Sequence, residues 1–371
     1  MIGMLHAYSR HNAGDSLLVD LTLERLRRCG IEPDDVLLVA LDPETFGDAV
    51  PHRVGIGVPG RGVDRHLLWA AGRGVSLAAS ALARRPVGGL ARALRGCDAL
   101  LAVGGGYLRA VDHVSSAGTS LNHLPQLVWA ARQCIPTLYL PQSIGPLRGP
   151  AGAAVRRALR GIDTVCVRDP WSERDLAALS NARRVPDLAV LDLAEGAGVP
   201  PGTPSAGRVA FVARQVRYAP GYEGAVVAVA RALGDRAVWA VQAEGDATKS
   251  DGVHYQGIGV EGSGRLADVL GRGDVSVVVS VRLHGALMAL GAGVPAVHLA
   301  YDRKGPAAFA DLGLDEWCLD VRTVDRDRLA AAVDTLAADP GPYWQQLRDR
   351  AAGLQQASRA LDDLIRAAVR P

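Results

Sequence analysis

The sequence predicts an α/β protein built from two doubly wound domains, and three features of the chain support that prediction. First, strand-like and helix-like segments alternate almost throughout its 371 residues, which is the pattern of parallel sheets covered by helices on both faces. Second, 49% of the residues are hydrophobic, and a chain of this length more often forms two domains than one. Third, the alternation stops near the middle at residues 196–207, where glycine and proline prevent regular structure and indicate a linker.

Before this linker, five predicted strands and four predicted helices form a first domain over residues 1–195. Each strand is a short run of mostly aliphatic or β-branched residues, and each helix shows apolar residues at helical spacing. The strands are Met1–Tyr8, Val36–Leu41, Ala99–Val103, Thr137–Pro141 and Thr164–Val167. The helices are Ser16–Cys29, Leu124–Gln133, Ala151–Leu159 and Trp171–Leu179.

After the linker, the alternation restarts and predicts a second domain over residues 208–342. A last helix, Tyr343–Val369, is long for the end of a small domain, so we expect residues 343–371 to pack across both domains. Ligands of doubly wound, Rossmann-like sheets sit beyond the carboxyl ends of the strands, so both domains should direct their functional loops into a cleft between them. The strands of the second domain are Arg208–Ala213, Ala237–Val241, Val275–Val281 and Ala296–Ala300. Its helices are Glu223–Leu233, Gly264–Leu270, Ala286–Gly291 and Arg326–Ala337.

The charge and cysteine content exclude several classes of protein. A net charge of +2 gives no general attraction to nucleic acid. The five cysteines are widely spaced, without a CxxC pair or a Cys/His cluster, which favours buried thiols over a disulfide framework or a metal site. The first residues lack a basic leader before an apolar core, and no run reaches the roughly 18 apolar residues of a membrane span. We therefore expect a cytoplasmic protein.

One stretch, His66–Arg95, leaves two interpretations open. Arginines interleave there with small and apolar residues. The pattern is typical of a solvated helical face in an arginine-rich chain, and it also fits a basic surface that rests on anionic lipid. Membrane association is thus expected to be peripheral at most.

The strongest chemical signal is an anion site in the second domain. The predicted strand Val275–Val281 is followed by Arg282 and His284, and Gly285 then allows a turn into the next helix. Backbone N–H groups and the positive dipole at a helix start favour phosphate or carboxylate, and the two side chains add further donors.

Other strand ends of the second domain extend this site. Arg214 and Tyr301 each follow a predicted strand, so a parallel sheet brings them to the edge that carries Arg282. A surface ion pair explains any one arginine, but two arginines and a histidine together suit a small, multiply charged anion. Lys304 is one of only two lysines in the chain, and a lysine offers a compact point charge.

In the first domain, Asn12 and Asp15 lie between the first strand and the first helix. Their side chains can hydrogen-bond hydroxyls or supply a general base, and Gly14 lets the backbone pass close to a ligand. Helix capping without any ligand explains the same residues equally well.

Two further strand ends of the first domain offer neutral polar groups. The triple glycine that includes Gly105 and Gly106 exposes backbone N–H groups, suited either to a ligand or to close domain contact, and it matches neither phosphate-loop template. Gln142 and Ser143 lie between prolines and suit a sugar hydroxyl, although a rigid turn explains them almost as well.

Six motifs together resemble the polysaccharide pyruvyl transferase family. They occur in order from Asn12 to about Leu314, and the arginine–leucine–histidine motif with its apolar helix is fairly specific. The motifs are NAGD at 12–15, GGGYL at 104–108, PQSIGP at 141–146, VRDPWS at 167–172, RLHGALMALGAGVP at 282–295 and YDRK at 301–304.

The resemblance implies a fold similar to the two-domain GT-B glycosyltransferases. It also implies transfer of pyruvate from phosphoenolpyruvate (PEP) to two hydroxyls of a sugar as a cyclic ketal, with release of phosphate. PEP is then a co-substrate, and neither a cofactor nor a metal is implied. The partner is a sugar or glycan acceptor, lipid-linked or free, and cell-wall or capsular polysaccharide precursors are the usual acceptors of the family.

The resemblance, together with the chemistry of the residues themselves, suggests roles for individual residues. Members of the family place PEP on arginines and a histidine of the second domain, and the expected PEP-binding residues are Arg214, Arg282, His284, Gly285 and Lys304. His284 is the candidate acid that protonates PEP or assists departure of the phosphate, and Asp15 is the candidate base for an acceptor hydroxyl. The expected acceptor-binding residues are Asn12, Gly105, Gly106, Gln142 and Ser143.

Two other functions stay open on the sequence. A GT-B glycosyltransferase with a nucleotide-sugar donor would share the two domains, and would need an acidic residue such as Glu244 or Asp246 to hold a ribose. A family member without catalytic activity would serve as a carbohydrate-binding protein. The sequence predicts no oligomeric state.

Overall fold

The computed structural model describes residues 1–56, 66–83, 87–196, 207–216, 218–219, 221–244 and 250–370, and only the backbone of 66–71. Residues 197–206 of the predicted linker lie outside the described residues. The chain divides into two compact α/β units. The first unit comprises Met1–Arg10, Asp15–Leu188 and Arg359–Pro371, and the second comprises His11–Gly14 and Ala189–Ser358.

The first unit is built on a seven-stranded parallel sheet with the order β3-β2-β1-β4-β6-β8-β9, and β5 pairs with β7 beside it. Its strands are β1 (Ile2–Ala7), β2 (Val36–Ala40), β3 (His52–Gly55), β4 (Ala99–Ala102), β5 (Leu108–Ala110), β6 (Thr137–Gln142), β7 (Ile144–Leu147), β8 (Thr164–Val167) and β9 (Ala182–Arg184). Its helices are α1 (Ala13–Arg28), α2 (His66–Ala83), α3 (Gly89–Arg95), α4 (His113–Gly118), α5 (Leu124–Ala130), α6 (Gly149–Leu159) and α7 (Pro170–Asp175). Every residue of β1 and β4 is buried, as in a sheet covered on both faces.

The second unit is built on a six-stranded parallel sheet with the order β12-β11-β10-β13-β14-β15. Its strands are β10 (Arg208–Val212), β11 (Ala237–Val241), β12 (Gly262–Arg265), β13 (Val275–Ser280), β14 (Ala296–Ala300) and β15 (Cys318–Asp320). Its helices are α8 (Leu188–Glu195), α9 (Gly221–Leu233), α10 (Asp251–Gly257), α11 (Leu266–Gly271), α12 (Leu283–Gly291), α13 (Lys304–Asp311), α14 (Arg326–Ala338) and α15 (Gly341–Val369). This is the strand order of doubly wound nucleotide-binding sheets, and the predicted α/β class is confirmed.

The strand order reverses once in each sheet, and that point fixes where a ligand fits. In the first unit the reversal lies between β1 and β4, and in the second it lies between β10 and β13. In doubly wound sheets the helices that follow the two neighbouring strands depart to opposite faces at this point, and ligands bind in the crevice outside the carboxyl ends. The candidate site of each unit is therefore sought at these strand ends.

Two segments belong to a different unit from the residues that adjoin them in the chain, and the predicted domain boundaries do not include these exchanges. The loop His11–Gly14 follows β1 in the chain but belongs to the second unit. Helix α15 contributes its residues up to Ser358 to the second unit and those from Arg359 onward to the first. Within the first unit its end is fixed by Asp362, whose carboxylate lies 2.5 Å from the guanidinium of the buried Arg25.

Candidate functional site

The carboxyl ends of the second sheet bring the predicted anion-binding residues to one edge. Arg214 lies two residues after β10, Arg282 lies two residues after β13, and Tyr301 directly follows β14. All three strands are parallel, and β10 and β13 are the neighbours between which the strand order reverses. The positive charges thus lie where doubly wound sheets bind their ligands.

Arg214 is a cation without a carboxylate partner among the described residues. Its Nη1 donates to the hydroxyl of Tyr301 at 3.1 Å, and its Cζ lies 5.1 Å from the centre of that ring. Its backbone is fixed by the buried Tyr222, whose hydroxyl accepts from the N–H of Arg214 at 3.2 Å and donates to its carbonyl oxygen. The side chain is half-buried, so its charge is available to a bound anion.

Arg282, in contrast, is paired with a carboxylate that the sequence did not reveal. Its Nε donates to Oδ1 and Oδ2 of Asp251 at 3.0 and 3.1 Å, and its Nη2 donates to Oδ1. Asp251 is 0% exposed, and its Oδ2 also accepts from the backbone N–H groups of Gln242 and Ala243, both at 2.9 Å. Burial lowers the pKa of the Arg282 guanidinium, but the charge and hydrogen bonds of Asp251 raise it by more, so it stays protonated.

His284 lies in the first turn of α12, against the loop that contains the NAGD motif. That loop is bonded to the end of β11: Ala13 donates its N–H to the carbonyl of Gln242 at 3.2 Å, and Asn12 forms an antiparallel bridge with Ala243. A Cβ on Gly14 would lie 2.5 Å from Nδ1 of His284. Gly14 is therefore required by the close approach of this imidazole, within the second unit.

The structure assigns a local role to the side chain of Asn12 and a different role to Gly285. The Oδ1 of Asn12 accepts from the N–H of Gly14 at 3.1 Å, as in the capping interpretation. The expectation that Gly285 makes the turn before the helix is wrong, because α12 already begins at Leu283. Instead, a Cβ on Gly285 would lie 2.6 Å from Oε1 of Gln242 and from Oγ of Ser280.

Lys304 opens α13 and is held by the aspartate two residues before it. Its backbone N–H donates to Oδ1 of Asp302 at 3.1 Å, and its Nζ lies 3.3 Å from Oδ2. Burial raises the pKa of Asp302, but Lys304 lowers it by more, so the carboxylate is ionised. Beneath this turn, burial lowers the pKa of His298 to about 4, and its Nδ1 is hydrogen-bonded to the carbonyl of Ser280 at 2.8 Å.

At the strand ends of the first sheet, the structure forms a buried cluster of two histidines and two tyrosines that sequence reasoning missed. Nε2 of His6 lies 2.8 Å from the hydroxyl of Tyr139, and its Nδ1 lies 3.3 Å from Nδ1 of His123. The ring of Tyr107 stacks on both imidazoles, with centroids 4.8 and 4.6 Å apart. Burial lowers the pKa of His6 well below its ordinary value and that of His123 to about 3, so both are neutral.

Unusual backbone geometry places both of these histidines. His6 has a φ of +67°, in the left-handed region that favours glycine, and it lies in an irregularity of β1 between Met4 and Ala7. His123 ends a π-helical turn over Thr119–His123. Such irregularities concentrate at functional sites, and these lie where the strand order of the first sheet reverses.

The acceptor-binding residues predicted at β4 and β6 adjoin this cluster. Gln142 is 0% exposed, and neither polar atom of its amide has a hydrogen-bond partner among the described residues. Ser143 donates its N–H to the carbonyl of Gly105 at 2.8 Å, and its Oγ accepts from Nε of Arg168 at 3.1 Å. Gly106 is exposed.

Beneath these strand ends lies a buried ion pair. Arg168 forms a buried ion pair with Asp187, and both side chains are 2% exposed. His6 and His123 are neutral, so this ion pair and the two histidines offer hydrogen bonds without net charge. The adjacent buried carboxylate of Asp169 accepts from the N–H and the hydroxyl of Ser172 at 2.8 and 2.7 Å. This edge differs in character from the cationic edge of the second unit.

Two kinds of feature are absent from the described residues. They contain no group of three or more histidine, cysteine, aspartate or glutamate side chains arranged to hold a metal ion. Among the described helices, none has the length and apolar character needed to cross a membrane.

The two parallel, doubly wound sheets define a protein with the fold of the GT-B glycosyltransferases and related epimerases. Similar solved structures include sucrose-phosphate synthase from Thermosynechococcus elongatus, with a TM-score of 0.58 at 16% identity over 99% of this chain and 98% of that one. UDP-GlcNAc 2-epimerase from Neisseria meningitidis, solved with UDP-GlcNAc bound, gives 0.56 at 12% identity over 98% and 99%.

Within this fold class, the amino-acid sequence identifies the family. Residues 12–233 match the model of the polysaccharide pyruvyl transferase family, and the chain belongs to that family. The resemblance inferred from the six motifs is therefore confirmed. No curated protein matches the chain in sequence.

Proposed function

We propose that the chain is a ketal pyruvyltransferase, which moves the pyruvyl group of PEP onto two hydroxyls of a sugar or glycan and releases phosphate. The observation that carries the proposal is the cationic strand-end site of the second unit, in a member of the polysaccharide pyruvyl transferase family. PEP carries a phosphate and a carboxylate, and two arginines beside a helix N-terminus match both groups. A cell-wall or capsular polysaccharide precursor, lipid-linked or free, fits this reaction as acceptor.

The charges of the site suggest how PEP is held. Arg214 supplies the uncompensated positive charge, and Arg282 supplies N–H donors in a fixed orientation. The first turn of α12 presents backbone N–H groups, and the absence of a side chain on Gly285 allows β11 and β13 to close on it. Lys304 provides a further donor from the start of α13. These four residues with His284 form the proposed PEP site.

His284 is the proposed general acid. Protonation of C3 of PEP makes C2 electrophilic, so that the first acceptor hydroxyl attacks C2, the C2–O bond to phosphate breaks, and the second hydroxyl then closes the ketal. His284 lies in the first turn of α12, whose N–H groups are proposed to hold the anion, so its imidazole is the candidate proton donor to a ligand bound there. PEP is itself the activated donor, so the proposal includes neither a cofactor nor a metal.

Asp15 is the proposed base for an acceptor hydroxyl. It is the residue after Gly14, whose Cα lies against the imidazole of His284. The acceptor itself is proposed to bind through Asn12, Gly105, Gly106, Gln142 and Ser143. The unsatisfied amide of Gln142 supports this assignment, because a buried polar group without a partner is costly unless a ligand or water completes it.

A nucleotide-sugar transferase is less compatible with the second unit. Such an enzyme needs a carboxylate to bind a ribose hydroxyl. The carboxylate of Glu244 is engaged by Arg265, with Nη2 and Oε2 2.6 Å apart, and Asp246 lies outside the described residues. We therefore expect PEP to raise the melting temperature of the protein, and UDP or GDP to leave it unchanged.

Replacing Arg214 with alanine is expected to weaken PEP binding by about tenfold to a hundredfold, because the change removes the cation that no carboxylate offsets. Isothermal titration of PEP into the variant measures the loss. Arg265→Ala is the matched control, since it removes an exposed arginine that pairs with Glu244. Equal affinities for wild type and Arg214→Ala would exclude this arginine from the PEP site.

Replacing Gly14 with alanine is expected to lower turnover by about tenfold to a hundredfold without unfolding the protein. The new Cβ would lie 2.5 Å from Nδ1 of His284, so the imidazole must move, and small displacements of a catalytic group are costly. Phosphate release from PEP in the presence of acceptor measures the effect. The control is Gly224→Ala in α9, where an added Cβ meets nothing within 4 Å. Full turnover by Gly14→Ala would contradict the proposed position of His284.

A further inference from the structure

We propose that Asp251 is a positioning residue that tunes the anion site: it offsets the charge of Arg282 and orients its guanidinium, so that phosphate is held weakly enough to leave. The inference rests on the proposed function, in which phosphate is the product released from PEP. Asp251 lies outside the six sequence motifs, and no sequence pattern predicts a role for it.

The first observation is the geometry of the pair. Asp251 engages the Nε edge of the guanidinium through two carboxylate oxygens, at 3.0 and 3.1 Å, and also accepts from Nη2. Two-point contact of this kind fixes the plane of an arginine as well as its position. Arg282 is therefore presented to a ligand in one orientation.

The second observation is that Asp251 is itself held rigidly. Its Oδ2 accepts the N–H groups of Gln242 and Ala243 at the end of β11, each at 2.9 Å. It lies at the start of α10, and the buried Tyr255 of the same helix accepts from the N–H of Ala213 at 3.1 Å after β10. The carboxylate of Asp251 thus connects the end of β11 to Arg282 after β13, and Tyr255 of the same helix holds the end of β10.

The third observation is the balance of charge. Asp251 is 0% exposed, so water screens its charge only weakly from Arg282 and from an anion bound beside that arginine. Arg282 and Asp251 together contribute no net charge, whereas Arg214 has no carboxylate partner among the described residues. Net attraction for phosphate then comes from Arg214, and Arg282 contributes directed N–H donors.

This arrangement has a catalytic consequence. An enzyme that holds the phosphate of its ground state or product too tightly gains affinity without gaining rate. If Asp251 moderates Arg282, removing the carboxylate should tighten phosphate binding while slowing turnover. A residue that merely supports the fold would instead weaken binding and turnover together.

The test is the full-length Asp251→Asn variant, titrated with inorganic phosphate by calorimetry. We expect phosphate to bind about tenfold more tightly than to wild type, because a buried negative charge near the anion is removed. In the PEP-dependent assay, kcat should fall by about tenfold while KM for PEP stays equal or decreases, because the guanidinium loses its anchor. Phosphate affinity equal to or weaker than that of wild type would overturn the proposal.

Asp274→Asn is the matched control. Its carboxylate lies 3.9 Å from the guanidinium of Arg208, at the amino ends of β10 and β13. We expect this variant to bind phosphate as wild type does. The phosphate titration contains neither PEP nor acceptor, so its outcome judges the role of Asp251 even if the proposed reaction proves wrong.

A second variant covers the case in which Asp251→Asn does not fold, since removing one partner of an ion pair with a buried member is strongly destabilising. The double variant Asp251→Asn/Arg282→Gln removes both charges and leaves the net charge of the site unchanged. We expect its phosphate affinity to stay within about tenfold of wild type, because only the directed donors of Arg282 are lost and Arg214 still supplies the net attraction. A loss of more than about tenfold would show that Arg282 carries the affinity and would reject the proposal.

Discussion

Replacing His284 with alanine is expected to lower the rate of phosphate release from PEP by about a hundredfold to ten-thousandfold, which is the usual contribution of a general acid or base. The reason is that His284 lies in the first turn of α12, where the anion is proposed to bind. His298 is 2% exposed and its Nδ1 is hydrogen-bonded to the carbonyl of Ser280, and His254 lies on α10 near Glu223. Stopped assays of phosphate at saturating PEP and acceptor measure the loss.

Two comparisons make the His284 result specific. Inorganic phosphate should still bind to His284→Ala, within about tenfold of wild type, because Arg214, Arg282 and the backbone of α12 remain. The exposed His52 of β3 serves as control, and its replacement by alanine should leave turnover unchanged. Near-normal turnover by His284→Ala would exclude this imidazole from the proton transfer.

Mild acid is expected to destabilise the first unit through His6 and His123. Burial holds the pKa of both imidazoles below the ordinary value of 6.5, and that of His123 at about 3, so the folded protein excludes protons that the unfolded chain binds. The stabilisation is complete above pH 6.5 and decreases as the pH falls below that value toward the folded pKa. The free energy of unfolding changes by up to about 1.4 kcal/mol per pH unit for each histidine. Lowering the pH from 7 to 5 should therefore reduce the free energy of unfolding by about 3 kcal/mol.

The measurement is the midpoint of urea unfolding at pH 7 and pH 5, for wild type and for the double variant His6→Asn/His123→Gln. Asparagine tolerates the positive φ at position 6, and neither new side chain titrates. The unfolding midpoint of the first unit should depend much less on pH in the double variant than in wild type. The His52→Ala variant should keep the pH dependence of wild type. An unchanged pH dependence in the double variant would show that the buried imidazoles do not cause the acid sensitivity.

The fold was predictable where the chain is buried on both faces. The central strands β1, β4, β10 and β13 are mostly apolar, and their predicted positions match the structure to within two residues. The strands at the edges of the sheets were missed. Edge strands have one neighbour and a solvated face, so they need no apolar run: β12 reads Gly-Ser-Gly-Arg and is fully exposed.

The positions of the candidate site residues were predictable where a charged residue follows an apolar strand. Arg214, Arg282 and Lys304 are charged residues directly after apolar strands or at the next helix, and the parallel sheet brings them to one edge. Asp251 was not predictable in this way. It lies in a polar stretch between β11 and β12, and only the fold reveals that its carboxylate reaches Arg282.

The position of His6 in the sequence does indicate a buried polar contact. It is a single ionisable residue within the apolar strand Ile2–Ala7, where burial of a polar group requires a partner. The partner, His123, lies more than a hundred residues later, and the stacking of Tyr107 between the ends of β4 and β5 depends on a loop conformation that no local pattern encodes. Long-range partners of this kind emerge only from the folded chain.

The most direct test of the proposed reaction is mass spectrometry of the acceptor. Wild-type protein is incubated with PEP and a panel of neutral hexosides, disaccharides and lipid-linked glycans, with His284→Ala as the inactive control. The proposal predicts that at least one acceptor gains the mass of pyruvate less one water, with one phosphate released for each acceptor converted. Transfer of a hexose from a nucleotide sugar to the same panel, with PEP left intact, would contradict it.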